Sequence, residues 1–123
     1  MNGAPPLVTL DDLRAAAERV RDAAVRTPVL ALPWPADTPS HPFRIKCENL
    51  QPMGAFKVRG AFNMLAQLPA DARARGVITY SSGNHGQGVA MAAMACGVHA
   101  VVVMPTTAPA VKVEGVRSYG AEV

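Results

Sequence analysis

Residues 77 to 104 read VITYSSGNHGQGVAMAAMACGVHAVVVM, and this stretch constrains the fold more than any other. A short apolar run, VITY, reads as a buried strand. A glycine-rich turn follows it, and then small apolar residues long enough for a helix to Cys96, with Gly97 as its natural stop. Residues 98 to 104 form a second apolar run. Met104-Pro105 then turns the chain toward a helix from about Pro109 to Tyr119, Gly120 ends that helix, and AEV opens one more strand. The alternation of strand and helix implies an α/β fold built on a doubly wound parallel sheet.

The preceding residues fit as an approach to that unit. Thr9 caps a helix expected to run to Arg26, with Leu10, Leu13, Ala17, Val20 and Ala24 at helical spacing, and Thr27-Pro28 ends it. Residues 31 to 42, ALPWPADTPSHP, carry four prolines and read as loop. FRIKCE, 43 to 48, alternates as a strand, and a helix is expected from Phe56 to Leu68, closed by Pro69-Ala70-Asp71.

Composition removes several classes of function. Half of the 123 residues are hydrophobic and 17% are charged, so the chain is globular. Twelve Lys and Arg against nine Asp and Glu leave a net charge of +3, with the cations scattered singly, so no nucleic-acid stripe is expected. Cys47 and Cys96 read as buried thiols. His41, His85 and His99 lack ligand spacing with cysteines or acids, so no metal is expected. MNGAPPLVTLDD has neither the basic start nor the apolar core of a signal peptide, and no run approaches a membrane span. The expectation is a cytoplasmic protein.

Two segments carry chemistry. In SSGNHGQG, residues 81 to 88, Gly83, Gly86 and Gly88 permit close backbone approach and positive φ. The helix that follows aims free N–H groups at the loop, with Ser81, Ser82 and Asn84 as further donors. Its G-x-x-G-x-G spacing is neither the dinucleotide fingerprint nor a Walker loop. Taken alone, the segment reads equally as an anion cradle or as a tightly packed strand-to-helix turn. The other segment is CENLQPMGAFKVRGAFNM, 47 to 64. Lys57 follows Phe56 at the start of a helix, where the dipole, and desolvation by Phe56, favour a neutral nucleophilic amine. Arg59 reads as a solvated charge.

KCENLQPMGAFKVRGA followed by SSGNHGQG strongly resembles the threonine/serine dehydratase and serine racemase group of fold-type II pyridoxal-phosphate enzymes, which have a tryptophan-synthase-beta-like fold. TPVL at 27 to 30 and VVVMPTTAPAVKVEGVRSYGAEV are similar to further segments of that group. The resemblance implies that Lys57 carries pyridoxal 5'-phosphate as a Schiff base, that Phe56 lies against the pyridine ring, and that Asn84 contacts the ring's 3-oxygen. It implies that Ser81, Ser82, Gly83, Asn84 and His85 receive the α-carboxylate of a serine or threonine substrate. The loop's anion is therefore expected to be a carboxylate. Lys57 also becomes the base at Cα in a β-elimination that yields a 2-oxo acid and ammonia. Racemising relatives place a serine at the position of Ser82 as acid/base on the opposite face, which adds serine racemase as a side activity. Ala55 departs from the serine usual before Phe-Lys.

By the same resemblance, residues 1–76 belong to the large cofactor domain and residues 77–123 to the small domain. The family's all-glycine phosphate loop and the group that meets the pyridine nitrogen lie beyond residue 123, so the chain reads as cut short and, taken alone, as inactive. A homodimer or higher oligomer is implied. Two alternatives stand beside the dehydratase: another enzyme of the same fold, such as a cysteine or threonine synthase, and a non-catalytic fragment. FKVRGA and GNHGQ speak against the synthases, which tend to carry Lys-Asp-Arg and Gly-Asn-Thr.

Overall fold

The computed structural model describes residues 7–32 and 43–123. Most of the expected proline-rich loop lies outside the described residues. Ala31, which that reading placed in the loop, closes a short strand instead.

The first helix, α1 (Leu10–Arg19), opens at the expected cap Thr9 with a capping box: the Asp12 N–H donates to Thr9 Oγ1, and the Thr9 N–H donates to Asp12 Oδ2. It stops seven residues before the sequence reading ends it. Tertiary bonds at Val25 keep it from reaching Arg26. The Val25 N–H donates to Gln51 Oε1, and the Val25 carbonyl accepts from Gln51 Nε2 and Arg59 Nη2. These bonds claim groups that a continuing helix would use.

Strand β1 (Val29–Ala31) pairs antiparallel with β2 (Arg44–Lys46), in the register Val29 to Lys46. The sequence reading missed β1 and had no antiparallel pair, because a three-residue strand carries almost no periodicity. Two 3-10 turns, Glu48–Leu50 and Pro52–Gly54, lead into α2 (Lys57–Leu65). A short helix, α3 (Ala70–Arg75), follows, starting within the Pro69-Ala70-Asp71 segment that was expected only to close α2. Pro69 stands just before its first turn, where its missing N–H costs nothing, and Arg75 pairs with Asp71 at 2.7 Å one turn earlier.

Strand β3 (Val77–Tyr80), α4 (Asn84–Cys96), β4 (Ala100–Val103) and α5 (Ala110–Arg117) follow in the expected order. β3 and β4 are parallel, with Val77 opposite Ala100 and Tyr80 opposite Val103. Glu122 makes a parallel bridge to Val101 on the other edge of β4, where AEV was expected to start a strand. Gly97 ends α4 in the left-handed region at φ 63°, as its position required.

Small residues set the packing. Val58, Ala61 and Leu65 form the inner face of α2. Ala61 and Leu65 share one core with Val89, Ala92 and Ala93 of α4, and Ala90, Val102 and Val116 join it. α4 is apolar nearly all round, as suits a helix packed against a sheet and two other helices. VITY is not the fully buried strand it was read as. Period-2 alternation turns Val77 and Thr79 toward α4, and leaves Ile78 and Tyr80 on the outer face, 73% and 85% exposed.

Candidate active site

The loop before Lys57 is shaped by backbone that cannot be helical. Met53 (φ 63°) and Gly54 (φ 73°) both lie in the left-handed region, and Ala55 is extended. Phe56 then enters the helical region without a side-chain cap, and Lys57 takes the first position of α2.

A polar cluster that the sequence reading missed clamps this loop. Glu48 accepts from Arg59 Nε at 2.7 Å, from Arg59 Nη2 at 2.9 Å and from Thr27 Oγ1 at 2.6 Å. The Arg59 guanidinium above all, helped by the Thr27 hydroxyl, holds the Glu48 carboxyl well below its usual range, at about 2. The same bonds raise Arg59 further. Gln51 is buried, and its amide pairs with both backbone groups of Val25. Arg59 is therefore a clamp and not the solvated charge it was read as. Glu48 and Arg59 are eleven residues apart and meet only because two turns intervene, which no periodicity encodes.

The glycines of SSGNHGQG act chiefly by close approach. A Cβ at Gly86 would stand 2.9 Å from Val102 Cγ1 and 3.3 Å from the Ser81 carbonyl oxygen, so this glycine seats the loop on β4. A Cβ at Gly88 would stand 3.3 Å from the carbonyl carbon, Cβ and oxygen of Lys57. The start of α4 thus rests directly on the backbone of the lysine. None of the three has a left-handed φ, contrary to the expectation; Gly83 is extended at φ −147° and faces open space.

Lys57 Nζ lies 4.8 Å from the centroid of the Phe56 ring, within cation–π range. Phe56 is 56% exposed, so the ring shields the amine less than the sequence implied. A cleft of about 300 Å³ is lined by Phe56, Lys57, Met64 and His85 among others. The structure therefore brings three of the expected site residues to one cavity. His85 Nε2 is 3.1 Å from Thr79 Oγ1, which ties the imidazole to the end of β3.

At the head of α4 the donors are partly engaged. Ser81 Oγ accepts from the Gly83 N–H at 3.2 Å, stiffening the loop from within. Ser82 is exposed, and its hydroxyl has no partner among the described residues. Asn84 Oδ1 accepts from Lys112 Nζ at 2.6 Å. Lys112 belongs to α5, and nothing in its spacing singled it out.

Among the described residues no cluster of three or more His, Cys, Asp or Glu could hold a metal ion. Among them also, no helix is long and apolar enough to cross a membrane.

The family model described as pyridoxal-phosphate dependent enzyme matches residues 20–123. The chain is 49% identical over 118 residues to an L-threo-3-hydroxyaspartate ammonia-lyase from a Pseudomonas species, covering 95% of this chain and 37% of that protein. It is 45% identical over 121 residues to the serine racemase of Schizosaccharomyces pombe, covering 95% and 36%. Among solved structures, the serine racemase from Dictyostelium discoideum matches with a TM-score of 0.86 and 40% identity, over 94% of this chain and 38% of that one. The chain thus spans little more than a third of the length of these relatives.

Proposed function

Because this chain belongs to the pyridoxal-phosphate dependent enzymes, whose model matches residues 20–123, we propose that it contributes the lysine and the substrate-carboxylate loop of a dehydratase acting on serine or threonine. One observation supports this reading above the others. Gly88 lets the head of α4 rest on the backbone of Lys57, so amine and anion loop share one packed unit.

The donor set suits the cofactor's aldehyde and ring. It offers a primary amine, an aromatic face 4.8 Å from it and a cleft of about 300 Å³ beside both. When bound, the cofactor supplies an electron sink for charge developing at the substrate's Cα. The Lys57 amine would hold the cofactor by its aldehyde carbon and would serve as the base for the Cα proton. Phe56 packs on the ring, and the Asn84 amide donates to the ring's 3-oxygen. Ser81, Ser82, Gly83, Asn84 and His85 hold the α-carboxylate at the head of α4, where unpaired N–H groups and the helix dipole favour an anion. Fixing that carboxylate orients the Cα–H bond. The net reaction would remove the Cα hydrogen and the β-hydroxyl as water, and hydrolysis of the freed product would give a 2-oxo acid and ammonia.

Racemisation is the second activity, favoured by the free hydroxyl of Ser82, which would return a proton on the opposite face. The proposal extends to residues 1–76 as part of the lysine-bearing domain and residues 77–123 as part of the carboxylate-binding domain, although the α2–α4 core crosses that junction. It also extends to a cytoplasmic homodimer or higher oligomer. Activity is proposed for the family's whole fold, of which this chain covers about 37% in its hydroxyaspartate-lyase relative.

The test is borohydride reduction after incubation with pyridoxal phosphate, followed by peptide mapping, with Lys57→Ala as control. A single adduct at Lys57 that disappears in the variant is expected. Labelling spread over several lysines, or none, would refute the assignment.

A further inference from the structure

The cation at the head of α4 is not accounted for by the residues assigned above. Lys112 Nζ donates to Asn84 Oδ1 at 2.6 Å and to Gln87 Oε1 at 3.1 Å, and both partners lie in the first turn of α4. Gly115, three residues further along α5, makes room for this. A Cβ there would lie 1.9 Å from Gln87 Nε2, so the Gln87 amide can rest on the backbone of α5 only because residue 115 has no side chain. Lys112 and Gly115 share one face of α5 and together seat Gln87.

Two consequences follow from the chemistry of the groups. An ammonium has only donors, so both amides must turn their oxygens to Lys112 and their NH₂ groups elsewhere. The Asn84 NH₂ is then a fixed donor without a protein partner among the described residues. Lys112 also forms no ion pair among the described residues, although it stands at the positive end of a helix, where a cation is unfavourable. A placement that strains the isolated head of α4 favours an anion arriving there.

We infer that Lys112 is a positioning residue. It locks the Asn84 amide with its NH₂ presented to the ring oxygen of the cofactor, and it adds positive charge where the substrate's carboxylate docks. This inference rests on the role of Asn84 given under the proposed function. Lys112 touches neither cofactor nor substrate in this scheme and acts through Asn84 and Gln87.

The experiment compares wild type, Lys112→Met, Lys112→Arg and Asn84→Ala, with and without pyridoxal phosphate. Without the cofactor, the side-chain amide of Asn84 is followed by nitrogen-15 NMR. A rigid Asn84 side-chain amide, read by nitrogen-15 relaxation, is expected in wild type and Lys112→Arg, and a markedly more mobile one in Lys112→Met. With the cofactor, Lys112→Met is expected to weaken binding about 5- to 10-fold and to alter the ratio of the cofactor's absorption bands in the same direction as Asn84→Ala. The double variant should add nothing further, because residues acting as one unit are not additive. An unchanged Asn84 amide in a folded Lys112→Met, checked by circular dichroism, overturns the inference. So do effects of the two substitutions that simply add. Should Lys112→Met fail to fold, Lys112→Arg decides alone: unaltered cofactor bands and Asn84 side-chain rigidity support a charged positioning group, and altered ones overturn it. Failure of the underlying function is distinguishable, since wild type would then show no Lys57 adduct while the Asn84 amide still answered to Lys112.

Discussion

Neutralising Glu48 tests whether the clamp on the lysine loop contributes to stability. Its folded-state pKa is about 2 against an ordinary 4.5, so the folded form binds the proton more weakly than the unfolded chain does. The stabilisation is therefore fully present above about pH 4.5 and is lost as the pH falls through about 2. A depression of that size corresponds to ~3.4 kcal/mol at full value. The Glu48 and Arg59 side chains remain 22% and 37% exposed, so solvent screening reduces the expected contribution to about 1–2 kcal/mol. Urea unfolding of wild type and Glu48→Gln at a series of pH values measures this directly. The variant should be less stable by about 1–2 kcal/mol at pH 7, and the gap should close steadily between pH 4.5 and 2. Equal stability at pH 7, or a gap independent of pH down to 2, would refute the argument that an ionised Glu48 holds the loop.

Gly88→Ala should place a methyl group 3.3 Å from the Lys57 backbone, destabilise the chain by about 1–2 kcal/mol despite the better helix propensity of alanine, and lower borohydride trapping at Lys57. Gly60→Ala is the counterpart. It lies inside α2 with nothing within 4 Å of the new Cβ, and should raise stability by ~0.5–1 kcal/mol in the same urea assay. Met53→Asn should stabilise by about 0.5–1 kcal/mol, since asparagine tolerates the left-handed φ of 63° better than methionine; a loss of stability would mean that the Met53 side chain packs more usefully than its backbone strain costs. Val102→Ala, at a fully buried position of β4, should cost about 2–3 kcal/mol by thermal or urea unfolding.

The sequence by itself determined the parallel unit from Val77 onward. Its signals are local: apolar runs for the strands, glycines at 97 and 120 whose left-handed φ ends the helices, and small residues along α4. It also pointed to Lys57 beside Phe56 and to the loop at the head of α4, because the paired motifs stand in fixed order. What it could not decide depends on groups distant in the chain. α1 does not reach Arg26 because Gln51 and Arg59 capture the backbone of Val25, 26 and 34 residues away. β1 exists because β2 pairs with it, and Arg59 is a clamp because two turns return Glu48 to its side. Gly88 read equally as part of an anion cradle or of a tightly packed turn, and the packing of α4 on α2 revealed it as the seat of Lys57. Lys112 is one more basic residue on a helix until α5 is laid beside α4, 28 residues from Asn84. Local propensity is written in neighbouring residues. Which hydrogen-bonding group meets which is settled only when the helices close on one another.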